Sequence, residues 1–172
     1  MFYGEVFKAL NKAKVKYVVA GGVAVVMHGY RRHTDDLDLY VLLETKNLER
    51  FFEALRSAGY SPKAPATKDQ FMDNKQREKW KKEKGMIVFS FCENDPPFKL
   101  IDMFVDEPIK FEEIYKEKAI VKVGSISIPV ISVKHLIRLK KQAGRDRDKN
   151  DIIQLNEIKR LSSNDQKKFK SF

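Results

Sequence analysis

The strongest constraint on the fold is the run Asp36-Leu37-Asp38-Leu39-Tyr40-Val41-Leu42-Leu43. Its latter part reads as a β-strand, and successive side chains of a strand point to opposite faces. Asp36 and Asp38 therefore project together, while Leu37 and Leu39 enter the opposite, apolar face. Two carboxylates then share one small volume. Such charges repel and raise each other's pKa unless a cation sits between them, and hard oxygen ligands of this kind suit Mg²⁺ or Mn²⁺. The alternative is an exposed acidic turn, a common surface feature. Asp35 adds a third acid, but only Asp36 and Asp38 fall on the same face.

Around this strand the hydrophobic pattern predicts an α/β (α+β) chain with a small mixed or antiparallel sheet flanked by helices. Residues 2–14 place Phe2, Val6, Phe7, Leu10 and Ala13 at helical spacing, and 15–20 read as a buried β-branched strand. Gly21-Gly22 follows at a strand-to-helix turn, where backbone can approach a ligand closely. An amphipathic helix is expected from Asn47 to Gly59, with Leu48, Phe51, Phe52 and Leu55 inward. Residues 61–84 are polar and lysine-rich and read as a surface insert. A helical piece over 69–82 carries Phe71, Met72 and Trp80. Strands at 86–92 and 98–105 flank the turn residues Asn94-Asp95-Pro96-Pro97 and fit an antiparallel pair. A hairpin over 119–123 and 127–131 leads into a helix over 132–143, ended by Gly144, and a last helix spans 147–161 before a fraying lysine-rich tail. Residues 1–131 thus form a core, and 132–172 a helical segment packed on it.

With 172 residues, 42% of them hydrophobic, the chain can bury one proper core. Its single cysteine, Cys92, excludes an internal disulfide and a cysteine-based zinc site, and reads as a small buried hydrophobe. No apolar run approaches the ~20 residues that cross a bilayer, and the N-terminus lacks a signal-peptide pattern, so a soluble cytoplasmic protein without membrane partners is expected. The 34 Lys and Arg against 24 Asp and Glu give a net charge of +10, which favours polyanionic partners such as RNA or nucleotides.

Asp102 lies in mid-strand, within Leu100-Ile101-Asp102-Met103-Phe104. A buried lone carboxylate costs several kcal/mol, so it should neutralise, pair with a base or bind a metal. If its strand lies beside that of Asp38, three carboxylates converge as two-metal phosphoryl transfer requires. A structural pair with an arginine is the competing possibility.

The string from Ala20-Gly21-Gly22 through Arg32-His33-Thr34-Asp35-Asp36-Leu37-Asp38 resembles the signature of nucleotidyltransferases of the DNA polymerase β superfamily. That resemblance implies the nucleotidyltransferase fold, with nucleotide contacts at Gly21, Gly22 and Thr34. It also implies that Asp36, Asp38 and Asp102 hold a divalent metal and catalyse. Many active members carry serine where this chain has Gly22, which here removes a hydroxyl from the phosphate turn. The stretch from Ile131 through Lys140, Arg145, Asp148 and Asp151 resembles the C-terminal helices of a small bacterial and archaeal branch that includes the AbiEii-type toxin–antitoxin enzymes. There a lysine contacts the triphosphate, and Lys140 followed by Arg145 fits.

Without the resemblance, Lys140 and Arg145 read equally well as solvated cations at a helix C-terminus. Arg31 and Arg32 read as phosphate or RNA contacts, or as ordinary surface arginines. His28 reads as helix packing. The expected activity is Mg²⁺- or Mn²⁺-dependent transfer of a nucleoside monophosphate from a triphosphate such as ATP to a hydroxyl, with RNA or the end of a tRNA as acceptor. Other readings are modification of a cognate toxin or antitoxin protein, adenylylation of a small molecule such as an antibiotic, or a catalytically silent binding module.

Overall fold

The computed structural model describes residues 3–96 and 98–168. The elements in order are α1 (Gly4–Lys12), β1 (Tyr17–Val19), α2 (Gly21–Met27), β2 (Asp36–Val41), α3 (Thr45–Ser57), β3 (Tyr60–Pro62), α4 (Lys68–Met72) and α5 (Asn74–Lys84). They continue with β4 (Val88–Glu93), β5 (Leu100–Phe104), α6 (Phe111–Lys116), β6 (Ala119–Val123), β7 (Ile126–Val130), α7 (Val133–Ala143) and α8 (Asp146–Lys168). Seven strands form one mixed sheet in the order β3-β4-β5-β2-β1-β7-β6. Two neighbouring pairs run parallel, β2 with β5 and β1 with β7, and the rest are antiparallel.

The alternation read in the sequence sets the two faces. Leu37 and Leu39 of β2, with Ile101 and Met103 of β5, are fully buried, whereas Asp36, Asp38, Leu100, Asp102 and Phe104 on the other face are only partly so. On the buried face, Phe51 and Phe52 of α3 meet Phe91 of β4 at ring-centroid distances of 5.6 and 5.2 Å. Helix α7 packs on α8 and touches α2. Ser132 caps α7 by accepting from the His135 N–H, and the helix stops at Gly144, whose φ of +64° suits glycine.

Residues 61–84 are more deeply built in than their composition suggests. Tyr60–Pro62 adds an edge strand to β4, and Phe71 and Trp80 are buried against Phe89 at 5.0 and 6.0 Å. The segment is two helices rather than one. Asp73 ends α4 and caps α5 through the Lys75 N–H, and Thr67 with Gln70 forms a capping box on α4. Lysines and glutamates fill most of α5, so its only buried residues are Arg77 and Trp80, three positions apart on one face. Helix α8 also runs past Leu161 to Lys168, so that part of the tail expected to fray is helical. The expected placements of Phe2 and Pro97, and of the tail beyond 168, fall outside the described residues. Among the described residues no helix is long and apolar enough to cross a membrane.

Candidate active site

Parallel pairing of β2 with β5 sets Asp38 directly beside Asp102, and Asp36 beside Leu100. Since paired residues share a face, Asp36, Asp38 and Asp102 converge, and one oxygen from each lies within 4.8 Å of the other two. Among the described residues they form the only group of three acidic, histidine or cysteine side chains placed to share a metal ion. Asp102 Oδ1 is buried with no hydrogen-bond partner. Burial, and then the charges of Asp36 and Asp102, push Asp38 up from 3.8 to about 6, against the opposing pull of Arg145 and a Gly22 N–H bond. An orphaned carboxylate oxygen beside two more, all hard donors, fits a divalent cation such as Mg²⁺ or Mn²⁺.

The Gly21-Gly22 pair forms the first turn of α2 and not a loop before it. Gly21 has φ +56°, and a Cβ there would stand 1.7 Å from Asp38 Oδ2, so the site leaves no room for a side chain. At Gly22 a Cβ would stand 2.4 Å from Thr34 Oγ1 and 3.2 Å from Arg32 Nη2. The volume that a serine would need is therefore already taken by a hydroxyl from the neighbouring turn. Thr34 Oγ1 in turn donates to Asp36 Oδ1 at 3.3 Å. A side chain at Gly22 would meet the Thr34 hydroxyl, which is already engaged with Asp36.

Lys140 is neither a solvated cap nor an open contact. It is 4% exposed, and its Nζ donates to Asp148 Oδ1 at 2.8 Å and Asp151 Oδ2 at 2.7 Å. Both aspartates are buried on α8, one turn apart. Arg145 Nε donates to Asp148 Oδ2 at 2.8 Å, and the Arg145 charge also acts on Asp38 and Asp36. Burial pushes Asp148 up, but hydrogen bonds from Lys140 and Arg145 outweigh it and hold the carboxyl below its usual range. Arg32 Nη1 completes the network on Asp151 Oδ2 at 2.6 Å.

The structure thus gathers Asp36, Asp38, Asp102, Gly21, Gly22 and Thr34 at one spot, brings the Arg145 charge to bear on it, and sets Lys140 in the ion-pair network beside it. Tyr3 is absent from the sequence-derived set: its O–H reaches the carbonyls of Leu100 at 3.0 Å and Asp35 at 3.2 Å, tying together the starts of the two acidic strands. Burial pushes its phenol up, so it stays protonated as a donor. No local pattern marks it, because the contact spans the chain. His28 holds the Ile131 carbonyl at 2.7 Å, and Cys92 is half-buried on β4 rather than fully buried.

The family model "Nucleotidyl transferase of unknown function (DUF2204)" matches residues 2–170. No curated protein sequence matches the chain. Among solved structures, the lincosamide antibiotic adenylyltransferase LnuA, with lincomycin bound, is similar at a TM-score of 0.58 and 15% identity, over 91% of this chain and 94% of that one. ANT(2")-Ia, in complex with adenylyl-2"-tobramycin, is similar at 0.57 and 11%, over 98% and 97%. An antigenic nucleotidyltransferase-like protein from Paracoccidioides brasiliensis is similar at 0.53 and 14%, over 87% and 71%. These likenesses establish the nucleotidyltransferase fold. With its family model matched over nearly its whole length, the chain belongs to the DUF2204 family and is a nucleotidyltransferase.

Proposed function

We propose that this protein transfers a nucleoside monophosphate from a nucleoside triphosphate to an acceptor hydroxyl in a metal-dependent reaction. The observation that carries this reading is the Asp36, Asp38 and Asp102 cluster with its unpartnered Asp102 oxygen. A Mg²⁺ or Mn²⁺ held by the three aspartates would polarise the α-phosphate and offset charge developing on the leaving oxygens. Asp102 has two carboxylate oxygens, so one can face the metal while the other takes the proton of the attacking hydroxyl. The hydroxyl oxygen forms a bond to the α-phosphorus, the bond to the β-phosphate bridging oxygen breaks, and pyrophosphate leaves with that electron pair. The lack of side chains at Gly21 and Gly22 lets Asp38, Thr34 and Arg32 close on the first turn of α2, which sets the hydroxyl and the guanidinium beside the acidic cluster where a triphosphate would lie. Arg145, which acts on Asp38 and Asp36, balances part of the charge.

The net charge of +10 supports RNA, such as a tRNA end, as the acceptor. A small hydroxyl compound is the second reading, favoured by the near full-length likeness to two proteins solved with an antibiotic or adenylylated antibiotic bound. The test incubates the protein with Mg²⁺ and each labelled triphosphate in turn, adding total RNA, a lincosamide or an aminoglycoside. A double variant, Asp36→Ala with Asp38→Ala, runs alongside. Label in RNA with the wild type only supports the first reading, and label on the small compound supports the second. Label on a co-expressed protein would redirect the acceptor to a toxin–antitoxin partner. Absence of any transfer, together with no metal-dependent triphosphate binding, would refute the proposal.

A further inference from the structure

We propose that Arg32 is a direct contact for the triphosphate and that Asp151 is the residue that positions it; the inference rests on the nucleotidyl-transfer reading above. Arg32 lies in the basic turn between α2 and β2. A guanidinium carries five N–H donors in a rigid plane, so fixing two of its nitrogens fixes the direction of the third. Arg32 Nε donates to the His33 carbonyl at 2.9 Å and Nη1 to Asp151 Oδ2 at 2.6 Å. Nη2 then lies over the glycine turn, 3.2 Å from where a Cβ on Gly22 would stand, and has no partner among the described residues. A phosphate oxygen approaching beside the Thr34 hydroxyl would meet it.

The ion pairing itself argues against a purely structural role. Asp151 Oδ2 already takes a hydrogen bond from the buried Lys140 at 2.7 Å. Lys140 and Arg145 between them also engage both oxygens of Asp148. Lys140, Arg145 and Arg32 surround the two buried carboxylates, and Arg145 also faces the charges of Asp38 and Asp36. The pairing needs of α8 are met without Arg32, so its guanidinium can take up an anion without stranding a buried carboxylate. The two arginines are each held by a carboxylate of α8, and those carboxylates stand one turn apart on a shared lysine. Arg145 acts on the Asp38 side and Arg32 on the Gly22 side. Such preorganisation matches a polyphosphate chain, because the donors are fixed before the ligand arrives. Arg31, its exposed neighbour, is held by none of these contacts.

The test measures affinity for a non-hydrolysable nucleoside triphosphate in Mg²⁺ by calorimetry, and for the parent nucleoside, in wild type, Arg32→Ala, Arg32→Lys, Arg31→Ala and Asp151→Asn. Losing one charge-assisted contact predicts a drop of roughly tenfold to a hundredfold in triphosphate affinity for Arg32→Ala, with nucleoside affinity unchanged. Arg32→Lys should recover only part of it, since a single ammonium cannot hold Asp151 and reach the turn together. Arg31→Ala should bind as wild type. Asp151→Asn should lose a similar factor, and the double variant with Arg32→Ala should be no weaker than Arg32→Ala alone, because both changes act on one contact. Additive losses would remove Asp151 from the positioning role. If Asp151→Asn fails to fold, the Arg32 pair still decides: unchanged triphosphate affinity in a folded Arg32→Ala overturns the proposal. Wild-type protein that binds no triphosphate is a separate result, which would strike the nucleotidyl-transfer reading itself.

Discussion

Replacing Asp38 with asparagine should make the metal-free protein more stable at neutral pH. The side chain keeps its shape, and its amide oxygen can still accept the Gly22 N–H bond, but the charge crowded against Asp36 and Asp102 disappears. Asp38 is raised from 3.8 to about 6 in the folded protein, so the folded form holds the proton more tightly than the unfolded chain does. Its contribution to stability is therefore fully present below about pH 4, falls as pH rises through about 6, and is flat above that. Moving the carboxyl from 3.8 to about 6 corresponds to about 3 kcal/mol by linkage. For a chain of this size each kcal/mol moves the melting temperature by roughly 2–4 °C. Thermal melts in a chelator at pH 7.5 should place Asp38→Asn about 6–12 °C above wild type, and the gap should close by pH 4. Added Mg²⁺ should raise wild type at pH 7.5 and leave the variant where it is. Equal or lower stability of Asp38→Asn in chelator at pH 7.5 would refute the crowded-carboxylate argument.

Gly22→Ser should lower the melting temperature because its Cβ meets the Thr34 hydroxyl, and adding Thr34→Ala should restore much of the loss; melts of the single and double variants check it. Trp80→Ala should cost about 3–5 kcal/mol in urea unfolding, since the indole is buried on Phe89 and Phe71; a cost under about 1 kcal/mol would return α5 to the surface. Lys140→Met should cost about 3–5 kcal/mol in the same assay, because Asp148 and Asp151 lose the cation they share in a buried setting.

Local pattern carried the reading of the site as far as the faces of single strands. The alternation of Asp36 and Asp38 with Leu37 and Leu39, and of Asp102 with Ile101 and Met103, is written in adjacent residues, and the burial in the structure follows it. The pairing of β2 with β5 is not written there, so the meeting of Asp102 with Asp38 could only be conditional. Lys140 shows the opposite problem. A lysine near a helix end reads as solvated until the packing of α7 on α8 brings Asp148 and Asp151 to it from the next helix. In α5 the charged majority hides Arg77 and Trp80, so composition pointed outward where two side chains point in. The room over Gly22 could not be judged from sequence either, because Thr34 fills it from twelve positions further on.

The parallel contact between β2 and β5 has a consequence for how this chain can vary. Its two acidic strands are far apart in sequence, joined by α3, β3, α4, α5 and β4, yet the spacing of the carboxylates depends only on the ladder between them. Lengthening a connection costs little, about 0.6 kcal/mol for each doubling of a flexible loop. Residues 64–66, between β3 and the cap of α4, could therefore accept an insertion while the three acids kept their separation. The same arrangement makes the cluster depend on a long-range closure, since Asp38 meets Asp102 only where β5 pairs with β2. A nascent chain that has not yet delivered β5 would carry both glycines and the first two acids without the third.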